Sequence, residues 1–97
     1  MSDVEAQATK MQAAVMMEEL AALEHERWAS WQRYLHSKCR PHIGQDGGMT
    51  GALVIPAELV ERWERQIDTP YADLSEREKE SDRAEVRKYM QIIRKYT

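Results

Sequence analysis

Arg27, Trp28 and Trp31 are spaced to share one face of a helix. An indole face can stack on a nucleobase, and a guanidinium can fork onto phosphate or ribose oxygens. The same residues also suit a helix-packing core, with Arg27 paired to Glu24 three residues earlier or to an acid on another helix. The stretch 27–42 extends the signal. It holds Arg27, Arg33, Lys38 and Arg40 and no acid, interleaved with Trp28, Trp31, Tyr34, His36 and His42. Such a basic run concentrates anions locally, and it equally suits a solvated helix C-terminus. A third group is Tyr71, Lys79, Asp82 and Arg83. Lys79 and Arg83 could reach a phosphate and Tyr71 a base, while Asp82 is expected to pair structurally, as is Glu24. The ligand-binding candidates are therefore Arg27, Trp28, Trp31, Tyr71, Lys79 and Arg83.

Other chemistries find less support. His25, His36, His42 and Cys39 match no zinc-ligand spacing, and there is no Cys-x-x-Cys pair. No Ser-His-Asp or Cys-His arrangement with recognisable context supplies a nucleophile and its base. No Gly-x-x-x-x-Gly-Lys loop is present to cradle a triphosphate. The expectation is a non-enzymatic protein without metal or cofactor.

The elements that must position these residues come from a chain of 97 residues, room for one small domain. Charged residues make up 32% and mean hydropathy is −0.73, so the chain reads as a polar, helical, non-membrane protein. No apolar run approaches the roughly 20 residues of a membrane-spanning helix. The net charge of −3 argues against a general nucleic-acid coat. A lone cysteine excludes an internal disulfide, and no signal peptide is expected, so a reducing, cytoplasmic location is the natural reading.

Residues 1–10 read as an extension that either frays or opens the first helix with Ser2 as N-cap. From Met11 to Ser37 there is no Gly or Pro, and apolar residues recur at helical steps. Pro41 then disfavours helix at Arg40. Gln45-Asp46-Gly47-Gly48 is a turn signature between Ile43 and Leu53-Val54-Ile55, which suggests a short β-hairpin around 43–55. Pro56 opens a short amphipathic helix over 56–67. The Ser75-x-x-Glu78 capping box opens a last helix over 76–96 with acids first and bases last. The fold class is all-α with that optional hairpin, as a single domain over 11–97.

Two blocks carry a resemblance. Leu20-Ala21-Ala22-Leu23-Glu24-His25-Glu26-Arg27-Trp28 and Thr69-Pro70-Tyr71-Ala72-Asp73-Leu74-Ser75-Glu76-Arg77-Glu78-Lys79-Glu80-Ser81-Asp82-Arg83 together resemble the Ryr domain, the repeat of ryanodine receptors that also occurs in small bacterial and phage proteins. The likeness covers about residues 18–94. It departs at His36-Ser37-Lys38-Cys39, where the family usually has Gly-Trp, and in a longer middle from Pro41 to Ile67. The resemblance implies a compact helical domain with its long first helix packed on the last. It implies recognition of a nucleotide-derived signal, ADP-ribose-like or cyclic, which a phage protein would sequester against host immune signalling. Because receptor repeats form paired clefts, it also implies a homodimer or larger homo-oligomer. The alternative is a protein–protein interaction module without a small ligand, for which six methionines supply adaptable surface.

Overall fold

The computed structural model describes residues 2–97. It has three helices and one antiparallel hairpin: α1 (Asp3–Lys38), β1 (Arg40–Ile43), β2 (Met49–Val54), α2 (Ala57–Ile67) and α3 (Glu76–Lys95), with a single 3₁₀ turn at Tyr71–Asp73. The chain is thus mostly helical. None of these helices is long and apolar enough to cross a membrane. Contacts divide the chain into two compact units, residues 1–29 with 77–97, and residues 30–76. Each is described by itself.

In the first unit, α1 begins at Asp3, well before Met11. The reason is a reciprocal cap. The Ser2 hydroxyl accepts from the Glu5 backbone N–H at 3.2 Å, and the Glu5 carboxylate accepts from the Ser2 N–H at 3.4 Å. Two donors that a helix start leaves open are thereby satisfied. Polar bonds join α1 to α3. Glu19 takes Tyr96 Oη at 2.6 Å and Lys95 Nζ at 2.7 Å, and Glu24 takes the Tyr89 hydroxyl. Between these anchors, Leu20 and Leu23 on α1 and Ile92 and Ile93 on α3 are half-buried. No hydrophobic side chain among the described residues is fully buried.

In the second unit, α1 stops at Lys38 and β1 starts at Arg40, three residues before the expected hairpin. Pro41 is therefore inside a strand. In a two-stranded sheet every strand is an edge, so a residue without N–H is tolerated there. The register pairs Arg40 with Val54, Pro41 with Leu53 and Ile43 with Met49, with an irregularity between Pro41 and Ile43. His42 sits at that irregularity, and its Nδ1 lies 2.9 Å from Thr50 Oγ1. The connecting loop closes through Gly44 N–H to Gly48 carbonyl at 2.8 Å, and Asp46 accepts from the Gly48 N–H at 2.9 Å.

Gly51 adopts φ +86° within β2. A Cβ there would meet no atom within 4 Å, so only the backbone conformation demands glycine. Gly51→Ala is expected to destabilise the second unit by about 1 kcal/mol, the penalty of left-handed backbone for an L-residue. Thermal unfolding followed by circular dichroism measures it, and an unchanged midpoint would contradict this account of the strand.

Candidate functional site

The second unit contains a cluster of three aromatic rings. Trp31 and Tyr34 sit one helical turn apart near the end of α1, and Trp63 comes from α2. Trp31 stacks on Tyr34 at 5.5 Å between centroids, with planes 29° apart. Trp31 and Trp63 meet edge to face, 5.7 Å between centroids with planes 62° apart. Both arrangements are favourable for ring quadrupoles. The cluster is not sealed: Trp31 remains 45% and Tyr34 38% exposed.

Two cations frame the rings. Lys38 Nζ lies 5.6 Å from the Tyr34 ring centroid, a cation–π contact made possible because Lys38 follows Tyr34 by four residues on α1. Arg62 Nη2 donates to the Tyr34 hydroxyl at 3.3 Å. Neither makes an ion pair among the described residues. Arg40, by contrast, pairs with Glu58 at 3.5 Å, with both side chains well exposed. Open aromatic faces beside uncompensated cations can take a planar group on the rings and an anionic group on the cations.

The first unit treats its arginines differently. Glu24 accepts from Arg27 Nη2 and from Arg27 Nε at 3.2 Å, and Arg27 Nε also lies 3.1 Å from Tyr89 Oη. Tyr89 donates its hydroxyl to Glu24. Arg27 thus binds a carboxylate of its own chain and helps hold α1 on α3. The Arg27 hydrogen bonds, and then the Tyr89 one, hold the Glu24 carboxyl below the usual carboxylate range. The same carboxylate pushes the Tyr89 hydroxyl up. Lys95 and Tyr96 lower Glu19 in the same way, and Glu19 raises both of them.

Of the six ligand candidates, Arg27, Trp28, Lys79 and Arg83 belong to the first unit, and Trp31 and Tyr71 to the second. Trp28 is exposed and stacks on His25 at 5.9 Å. Tyr71 is exposed in the 3₁₀ turn, and Lys79 is half-buried near the start of α3. Arg83 pairs with Glu80 at 3.5 Å. Asp82 is exposed and makes no hydrogen bond or ion pair among the described residues. The pairing expected of Asp82 is made by Glu80, which lies three residues before Arg83 and seven before Arg87 and bonds both. Glu80 is held below the ordinary carboxylate range, chiefly by Arg87.

Sequence reasoning placed Trp31 in the site and missed Trp63 and Arg62. The available signal was a tryptophan on the apolar stripe of α2, the only tryptophan outside α1. Among the described residues, no group of three or more His, Cys, Asp or Glu side chains is arranged to hold a metal ion.

These paired groups fix a pH dependence for the first unit. Carboxylates with depressed folded-state values contribute stability above their unfolded value and lose it as pH falls through the folded one. Lys95, Tyr89 and Tyr96 are raised, so their contribution is present at neutral pH and lost as pH rises through their folded values. The thermal midpoint of the first unit should be level between about pH 6 and 9, fall below about pH 4, and fall again above about pH 10.5. Glu24→Gln should blunt the acid limb. An acid limb identical to that of the unsubstituted protein would contradict the role given to Glu24.

Compared with known proteins, the chain matches no family model, no curated protein and no solved structure.

Proposed function

We propose that this chain is a non-enzymatic binding protein that captures a nucleotide or nucleotide-derived anion, ADP-ribose-like or cyclic. One observation carries the reading: the half-open Trp31–Tyr34–Trp63 cluster with Lys38 over one ring and Arg62 on its hydroxyl. A base stacks on the open Trp31 face, and a phosphate draws Lys38 from the ring to itself. Stacking contributes about 1–3 kcal/mol per base, and a charge-assisted hydrogen bond about 1.5–3 kcal/mol. The Ryr-type blocks support the same ligand class, and sequestration of a host immune messenger by a phage is the use that fits capture without turnover. The protein as a sponge is best served by an oligomer, a homodimer or larger.

Lys38→Glu should weaken binding of ADP-ribose or a cyclic dinucleotide at least tenfold in calorimetry, since it removes one attraction and adds a repulsion. Ligand recovered after denaturation should be chemically unchanged. The absence of binding heat with either ligand at micromolar protein would overturn the reading, and recovery of a converted product would overturn its non-enzymatic part.

A second reading, a protein–protein interaction module, is favoured by a different observation. Ile43, Met49 and Leu53 of the hairpin, and Ile55 just after it, are all partly open to solvent. Binding of a stoichiometric host protein in place of any nucleotide would favour that module.

A further inference from the structure

We propose, resting on the ligand reading above, that Arg40 is a positioning residue for the ring cluster. By pairing with Glu58 it keeps that carboxylate off Arg62 and leaves the Arg62 guanidinium open to the ligand's anionic group. All the residues concerned belong to the second unit. Taken alone, the sequence of α2 favours a different pair. Glu58 precedes Arg62 by four residues, so the two are neighbours on one helix face, with the acid on the favourable N-terminal side. The structure has another arrangement. Glu58 Oε1 lies 3.5 Å from Arg40 Nη2, and Arg62 Nη2 donates to the Tyr34 hydroxyl at 3.3 Å.

The hairpin register accounts for the exchange. Arg40 opposes Val54, the last residue of β2. Only Ile55 and Pro56 separate Val54 from the first turn of α2, where Glu58 stands. Strand pairing thus delivers a cation to Glu58 from the neighbouring strand. The consequence for Arg62 is chemical. Its partner is a neutral phenol, and trading a phenol for a phosphate gains a charge-assisted hydrogen bond. An Arg62 already paired with a carboxylate would gain little by the trade. The controlling pair is a modest one. The Arg40 and Glu58 side chains are 72% and 69% exposed, so its loss changes affinity by no more than about fivefold.

Calorimetry with ADP-ribose and with a cyclic dinucleotide, at low ionic strength, tests this through a double-mutant cycle. Both substituted positions are well exposed, so the variants should fold as the parent does. Arg40→Gln should weaken binding about threefold, because Glu58 then turns to Arg62. Glu58→Gln should change affinity little while Arg40 is present, and should recover about threefold in the Arg40→Gln background. Were Arg40 only one more cation near the ligand, Glu58→Gln would strengthen binding by the same factor in both backgrounds, and that result would overturn the proposal. A second readout needs no ligand. The Arg62 Nε–H resonance of ¹⁵N-labelled protein, assigned by its loss in Arg62→Gln, should move in Arg40→Gln and return in Arg40→Gln/Glu58→Gln. A resonance indifferent to Arg40→Gln would overturn the proposal whether or not a nucleotide binds. A resonance that moves and returns, in a protein that binds neither nucleotide, would uphold the hold of Arg40 on Glu58 and sink the ligand reading alone.

Discussion

Trp31→Ala should remove nucleotide binding below detection and also destabilise the second unit by about 2–3 kcal/mol. Full truncation of a buried tryptophan costs about 3–5 kcal/mol, and the lower figure follows because Trp31 is only about half-covered. The side chain is the one ring in contact with both of the others, Tyr34 and Trp63. Its loss removes two ring contacts at once and leaves the end of α1 without its aromatic link to α2. With about 4–8 °C per kcal/mol for a domain of this size, the midpoint should fall by roughly 10–20 °C. Binding and folding are separated by Lys38→Glu, which leaves all three rings in place. If Trp31→Ala lowered the midpoint but ligand affinity survived in the residual folded protein, the cluster would be packing alone.

Leu23→Asp should be the most damaging substitution in the first unit. Leu23 lies on the half-buried face of α1, one residue before Glu24 and four after Glu19, the two acids that bond α3. The substitution withdraws about 1–2 kcal/mol of apolar burial, a part of the full-burial value because Leu23 is half-buried, and sets a carboxylate beside Glu24. A further penalty of about 1–3 kcal/mol accompanies an incompletely compensated polar group at a packed face. We expect α3 to lose its protection from hydrogen exchange, since its apolar residues would have nothing to pack on. Leu23→Met, which keeps the volume, should change little. Full protection of α3 in Leu23→Asp would show that the polar anchors at Glu19 and Glu24 suffice without the leucine.

The sequence made the helices legible and left much of the site obscure, for physical reasons. The Gly- and Pro-free run after Met11, Pro56 at the head of α2 and the order of charges in α3 are local signals, and local signals set helix limits. The early start of α1 is half visible in the sequence: Ser2 is a cap residue, and it is Glu5, three residues on, that completes the reciprocal cap. The hairpin's first strand was obscured by Pro41, which reads as a breaker unless both strands are known to be edges. Trp63 and Arg62 were missed because their role depends on α2 returning to the end of α1, a long-range event that spacing along one helix does not encode. Asp82 stands beside Arg83 in sequence, but neighbours along a helix point about 100° apart, whereas Glu80, three residues before Arg83 and seven before Arg87, lies within reach of both.

On the proposed reading, an anionic, base-bearing ligand sits on Trp31 and Trp63. The chain carries three tryptophans, so an ¹⁵N-labelled sample gives three indole N–H resonances. Titration with ADP-ribose and with a cyclic dinucleotide should shift the Trp31 and Trp63 signals saturably with at least one of the two, while Trp28, in the other unit, stays in place. Movement of Trp28 alone, or three signals unmoved by either ligand at millimolar concentration, would contradict the account.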